Sequence, residues 1–162
     1  IHWLEEPMPW YALDSYRKLR SHTPFAVTGG EAEYSYQGFV EAMMTQAIDV
    51  IQPDIAACGG ITIARRVAVV AEALGVDFQP HIFGGALALP VAMQLVASLT
   101  NNQQWMMFPR PVLIEWDSTE NPFIRDLIKN PPKMINGVAN VPNSPGIGVE
   151  INEEAIKKYQ IT

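Results

Sequence analysis

Val50-Ile51-Gln52-Pro53-Asp54 and Val76-Asp77-Phe78-Gln79-Pro80-His81 are two short apolar runs, each closed by a proline and then by a side chain able to carry a proton. Between them lie the turn Gly59-Gly60 and an apolar-periodic segment, Ile63 to Leu74, whose spacing predicts a helix ended by Gly75. Strand, helix and strand in that order make a parallel crossover unit. The same pattern extends outward. Ile1 to Leu4 is an apolar run ending at Glu5-Glu6-Pro7, and Phe25-Ala26-Val27-Thr28 ends at Gly29-Gly30-Glu31. Glu5, Glu31, Asp54 and His81 thus fall 26, 23 and 27 residues apart. That period is about one strand, one helix and two loops, so successive parallel strands would each bring one acidic or imidazole group to one end of a sheet.

The remaining segments continue the alternation and then lose it. Leu13, Tyr16, Arg17 and Leu19 to Arg20 predict a first helix, and Ser35 to Ala47 a second, with Ser35 as N-cap and Phe39, Val40, Met43 and Met44 as its buried stripe. Ala86 to Leu99 is apolar all round and is expected to be buried. A fifth strand is expected at Val112-Leu113-Ile114, ending at Glu115-Trp116, although the interval from His81 lengthens to 34 residues. Beyond Ser118 the period disappears. A short helix from Pro122 to Lys129, an irregular extended stretch from Gly137 to Val149, and a closing helix from Asn152 to Tyr159 with an Asn cap are expected there.

The fold class read from this order is α/β: the C-terminal portion of a TIM-like (β/α) barrel, about five strand-helix units over residues 1–118. Residues 119–162 are expected to form a C-terminal tail packing on the barrel or on a capping domain. A closed eight-stranded barrel takes about 250 residues, and Ile1 opens inside a strand, so the earlier strands are expected upstream.

Composition narrows the function classes. The 162 residues are 48% hydrophobic and 17% charged, as in a globular protein with its own core. A formal charge of −6 leaves no basic surplus for phosphates, which argues against nucleic acid or an anionic membrane as partner. The densest cation group, Arg17, Lys18 and Arg20, is expected on a solvated helix face. No apolar run reaches the roughly 18 residues a membrane helix needs. The one cysteine, Cys58, fits a reducing cytoplasm and reads as a small buried hydrophobe rather than a nucleophile.

The chemistry follows from the residue types. Hard cations such as Mg²⁺ prefer oxygen ligands, and Glu5 and Glu31, on adjacent parallel strands about 4.8 Å apart, can share one ion. A histidine whose second ring nitrogen is held by a carboxylate is a competent acid or base near neutral pH, which assigns Asp54 and His81 to a dyad. Beside a metal, such a dyad suits abstraction of the proton next to a carboxylate, with the cation stabilising the enediolate. Glu115 can hydrogen-bond a substrate carboxylate if its surroundings keep it protonated.

Trp3-Leu4-Glu5-Glu6-Pro7, Gly30-Glu31, Pro53-Asp54 with Cys58-Gly59-Gly60-Ile61-Thr62, and Pro80-His81 together resemble the mandelate racemase branch of the enolase superfamily. The likeness spans roughly Ile1 to Trp116, and the tail is also similar. It implies Glu5 and Glu31 as the second and third Mg²⁺ ligands, Asp54 and His81 as the catalytic dyad, and Glu115 as the acid facing the intermediate. Asp rather than Lys at position 54 separates the chain from the muconate-lactonizing branch. The resemblance also implies an N-terminal capping domain, a first metal ligand and a lysine base outside this sequence.

The activity so implied is dehydration of a sugar acid. The alternatives are a racemase or epimerase of a 2-hydroxy or amino acid, and an inactive folding or assembly unit, since unpaired strand edges favour a homo-oligomer. Bland readings cover the other candidates. Glu6 is expected in a structural ion pair, Asp117 is an alternative to Glu115, and His2 and His22 are surface or packing residues. Trp105, Met106, Met107 and Phe108 read as core or interface.

Overall fold

The computed structural model describes residues 1–99 and 113–161. It comprises two compact units, Ile1–His81 with Leu99–Glu115, and Ile82–Ser98 with Trp116–Thr162. In the first, β1 (Trp3–Glu5), β2 (Ala26–Gly29), β3 (Val50–Ile51) and β4 (Asp77–Phe78) form one sheet in the order β1-β2-β3-β4, all pairs parallel. The connections are the helices α1 (Leu13–Arg20), α2 (Tyr36–Met44) and α3 (Gly60–Leu74). Sequential strands joined through helices are what parallel pairing requires, because a hairpin cannot return the chain to the same direction.

The core is made where the helices cover the sheet. Tyr16 of α1, Phe39, Ala42 and Met43 of α2, and Ala64, Val67 and Ala71 of α3 are buried with Val27, Ile48 and Ile51. Each large apolar side chain so buried contributes about 1.5–3 kcal/mol. The expected α2 stripe changes at two positions: Val40 is only half-buried and Met44 is exposed, while Ala42, three residues from Phe39, lies on the covered side. Ser35 caps α2 as expected, its side chain accepting from the Gly38 N–H.

One face of the sheet is polar within. Glu5 is aligned with Thr28, Thr28 with Val50, and Val50 with Asp77. Alternation then turns Gln52 and Gln79, two residues beyond Val50 and Asp77, to the same side. Thr28, Gln52 and Gln79 are the buried polar side chains of the described residues. Tyr16 is fully buried and donates its O–H to the Met8 carbonyl at 2.6 Å. Burial, with the charge of Glu6, pushes its phenol up to about 12.

Two expectations change in this unit. Val112 lies outside the described residues, as do Trp105, Met106, Met107 and Phe108, and Leu113–Glu115 form no strand. Leu113 is exposed and has no ladder partner among the described residues, so apolar character alone does not make a fifth strand there. The basic group of α1 is also not uniformly solvated. Arg17 pairs with Asp14 at the surface, but Arg20 Nε reaches Asp49 Oδ1 at 2.6 Å and its Nη1 donates to the Gln46 carbonyl.

The second unit contains α4 (Ala88–Ala97), the four-residue α5 (Pro122–Arg125), a hairpin of β5 (Met134–Ile135) and β6 (Val138–Ala139), and α6 (Glu153–Tyr159). Pro90, Ala92, Met93 and Leu95 bury one side of α4, whereas Ala97 is exposed, so the helix is covered on one face rather than all round. Gln94 donates to the Pro142 carbonyl at 2.7 Å, and the Ala86 N–H to the Phe123 carbonyl at 3.1 Å. Asn152 caps α6 and also donates to the Asp126 carbonyl. Among the described residues no helix is long and apolar enough to cross a membrane.

Asp49 does two jobs in the first unit, since its Oδ2 accepts the Val27 N–H at 2.9 Å while Oδ1 holds Arg20. Both charged side chains are about a third exposed, so the ion pair itself is worth at most about 1 kcal/mol. Removing the acceptor of a strand amide costs a further 1–3 kcal/mol or so. Asp49→Ala is therefore expected to destabilise the protein about 2 kcal/mol, more than Arg20→Ala, in urea unfolding. Equal losses would contradict the double role.

Candidate active site

The strand ends deliver their groups to one edge. Glu5 closes β1, Glu31 lies two residues beyond β2, and Asp54 and His81 lie three beyond β3 and β4. An isolated parallel bridge between Asp54 and His81 carries the pairing past the last ladder residues. The His81 N–H donates to the Pro53 carbonyl at 3.2 Å, which fixes the histidine backbone.

The Asp54 carboxylate is held on both oxygens. Oδ1 accepts from the N–H groups of Ala56 and Ala57, at 2.7 and 3.2 Å, as the chain turns toward α3. Oδ2 faces His81 Nδ1 at 2.9 Å. His81 Nε2 in turn faces Glu31 Oε2 at 2.7 Å. Carboxylates on both ring nitrogens favour the imidazolium, which has an N–H for each. Burial alone would pull the imidazole pKa down. The hydrogen bond to Asp54 and the charges of Glu31, Glu115 and Asp54 outweigh it, so the ring is held above its ordinary 6.5.

Gln52 joins a second pair. Its side chain is buried, and Nε2 donates to Glu5 Oε2 at 3.2 Å and to Glu115 Oε1 at 3.4 Å. Glu115 thus reaches the strand-end group without a fifth strand. Asp117, the alternative, accepts from the Thr119 N–H at 2.8 Å in a local turn.

The loop that carries Glu31 is built tightly. Gly30 has φ +126°, and a Cβ there would lie 3.2 Å from the Gln52 nitrogen, so this approach to β3 needs glycine. Glu6 turns away from Glu5 as alternation predicts, but its partner is not a cation: Oε1 accepts the Gly30 N–H at 2.9 Å. The cause is position, because Glu6 has φ +33° and its side chain lies over the end of β2. Glu33 Oε1 accepts from Tyr34 and Ser35, and its Oε2 from the Trp10 indole at 3.0 Å. Gln52, Glu6 and Glu33 were not singled out as site residues by the sequence. The signal for Gln52 is a polar side chain inside an apolar strand run.

The other candidates behave as packing or surface groups. Cys58 is buried, and burial with the nearby Asp54 charge pushes its thiol up, which disfavours a nucleophile. His2 lies against Trp3 with the two rings tilted, and His22 bonds Ser21 and the Lys18 carbonyl, both at the surface.

As a metal site, the donors are hard oxygens of the kind Mg²⁺ prefers. Among the described residues no group of three or more His, Cys, Asp or Glu side chains could hold an ion. Glu5 and Glu31 offer two such carboxylates, fewer than the full oxygen set of an ion.

A parallel α/β sheet with acidic and imidazole groups after four successive strands is the arrangement of part of a (β/α) barrel, with polar groups carried at the strand C-termini. The chain belongs to the enolase C-terminal domain-like family, which it matches over residues 1–155. It is 34% identical over 161 residues to the D-galactarolactone cycloisomerase of Agrobacterium fabrum, covering 99% of this chain and 42% of that protein. It is 32% identical over 162 residues to the D-gluconate dehydratase of Thermoproteus tenax, covering 98% of this chain and 30% of that protein. The crystal structure of the 3,6-anhydro-D-galactonate cycloisomerase from Zobellia galactanivorans is similar with a TM-score of 0.86 at 34% identity, over 98% of this chain and 42% of that one. The chain thus spans less than half the length of these relatives. Members of the enolase superfamily generally bind Mg²⁺.

A histidine raised in the folded state contributes stability that is complete below its unfolded-state value and is lost as pH rises through the folded-state one. By proton NMR of the metal-free protein, the His81 ring is expected to titrate with a midpoint above 6.5, and Asp54→Asn to lower that midpoint. A wild-type midpoint at or below 6.5 would contradict the double carboxylate grip.

Proposed function

We propose that this chain is the C-terminal part of the catalytic barrel of a Mg²⁺-dependent enzyme that removes the proton alpha to a carboxylate, most simply a sugar-acid dehydratase. The observation that carries the reading is the Asp54–His81–Glu31 chain, an imidazole with a carboxylate on each ring nitrogen at three successive strand ends. The D-gluconate dehydratase among the relatives supports the substrate class.

Glu5 and Glu31 would hold the cation, which when bound supplies positive charge beside the substrate carboxylate. Asp54, fixed by the Ala56 and Ala57 amides, keeps Nδ1 of His81 occupied. With Glu31 drawn onto the cation, His81 Nε2, which it faces here at 2.7 Å, would be left to transfer a proton. A base from outside this chain would take the alpha proton, leaving an enediolate whose electron pair expels hydroxide from the adjacent carbon. His81 Nε2 delivers its proton to that hydroxide as it leaves, giving water and an enol that becomes the 2-keto acid. Glu115, when protonated, would hydrogen-bond the substrate carboxylate.

The partner proposed is a small sugar acid, with neither nucleic acid nor membrane. The sheet's outer strands β1 and β4 favour a homo-oligomer or pairing with further strands, and a free, buried Cys58 fits a cytoplasmic setting.

In the full-length protein, His81→Asn is expected to lower turnover of an aldonate or aldarate panel by about 10²–10⁴-fold while Mg²⁺ affinity stays within a few-fold. In D₂O the wild type should yield a 2-keto acid. Recovered substrate labelled from either epimer would indicate a racemase instead, and full activity in His81→Asn would remove His81 from the mechanism.

A further inference from the structure

We infer that Gln52 is a positioning residue that holds the Glu5 and Glu115 carboxylates in their working places, an inference that rests on the proposed role of Glu5 as a metal ligand. Gln52 directly follows β3 and precedes Pro53, and it is only 1% exposed. Its backbone is set by the ladder, since its N–H donates to the Gly29 carbonyl at 2.8 Å while Gly30 packs against the same nitrogen. The side chain starts from a fixed point.

From there Nε2 serves two carboxylates far apart in sequence, Glu5 Oε2 at 3.2 Å and Glu115 Oε1 at 3.4 Å. A primary amide has two N–H donors, one for each. Two acceptors also settle the amide's orientation, because the reverse would set Oε1 against carboxylate oxygens. That orientation has a consequence: Oε1 is buried and has no hydrogen-bond partner among the described residues. A side chain retained only to fill space would be apolar at this position, since an unpaired buried oxygen is unfavourable. What the amide contributes is its pair of donors.

Two carboxylates around one point repel each other. A shared neutral donor offsets that repulsion without adding a cation that would compete with a bound metal. Without it the two carboxylates move apart, which takes Glu5, the proposed ligand, from its place. Groups that orient metal ligands in this way typically carry 10–100-fold of metal affinity.

The test is Mn²⁺ binding to the full-length protein, read by EPR of the free ion. The variants are Gln52→Met, which keeps the volume, and Gln52→Glu, which keeps the shape but loses the donors. Far-UV circular dichroism checks the fold. Both are expected to fold and to bind Mn²⁺ at least about tenfold more weakly than wild type, with Glu5→Gln as the reference loss. If Gln52→Met does not fold, Gln52→Glu decides alone. Affinities within twofold of wild type, alongside a clear loss in Glu5→Gln, would overturn the role of Gln52. Unfolding of both variants would also overturn it, by making Gln52 a support of the fold. Undiminished binding by Glu5→Gln would instead remove the metal reading itself.

Discussion

Parallel pairing of β1 through β4 is the constraint on which the site depends. Because all four strands run the same way, their C-terminal ends share one edge, and groups some 25 residues apart become neighbours. The strands are short, two to four residues each, so the functional groups sit at or just beyond the ladder. What holds them is a second tier of bonds: the Asp54–His81 bridge, the Ala56 and Ala57 amides on Asp54, and the Glu6 carboxylate on the Gly30 amide.

Electrostatics gives this edge its character. Glu31 and Asp54 flank one imidazole, while Glu5 and Glu115 share one amide. Such a crowd of carboxylates in a half-buried place is unfavourable unless cations or donors offset it. A charged His81 offsets part, the Gln52 amide another part, and a hard divalent ion would offset more. The residue types that suit proton transfer next to a carboxylate are thus also the ones that make a cation welcome.

Around the site, local devices do the positioning. The loop after β2 is drawn together by Glu33, which gathers the Tyr34 and Ser35 amides and the Trp10 indole. Burial with these bonds leaves the Glu33 carboxyl below its ordinary value, the bonds outweighing the desolvation. The second unit uses similar means for another end: Asn152 caps α6 and grips Asp126, whose carboxylate also accepts the Tyr159 O–H at 2.6 Å.

The four strands, their helices, and Glu5, Glu31, Asp54 and His81 as groups at strand ends were legible in the sequence, because apolar periodicity and proline or glycine stops are local properties of the chain. Ser35 and Asn152 as caps were legible for the same reason. The strand expected at Val112–Ile114 is absent over Leu113–Ile114, since a strand exists only through a neighbour and an apolar run does not say whether one is there. Arg20 looked solvated because its neighbours in sequence are charged, yet its partner Asp49 comes from 29 residues away. Glu6 binds a backbone amide rather than a cation, and Gln52 binds groups 47 and 63 residues distant, which no local pattern marks. The sequence by itself determined which chemical groups reach the edge of the sheet, because their spacing matches the repeat of strand and helix. Only the tertiary structure decided which of them touch, because hydrogen-bond partners are chosen by separations of about 3 Å that no pattern along the chain encodes.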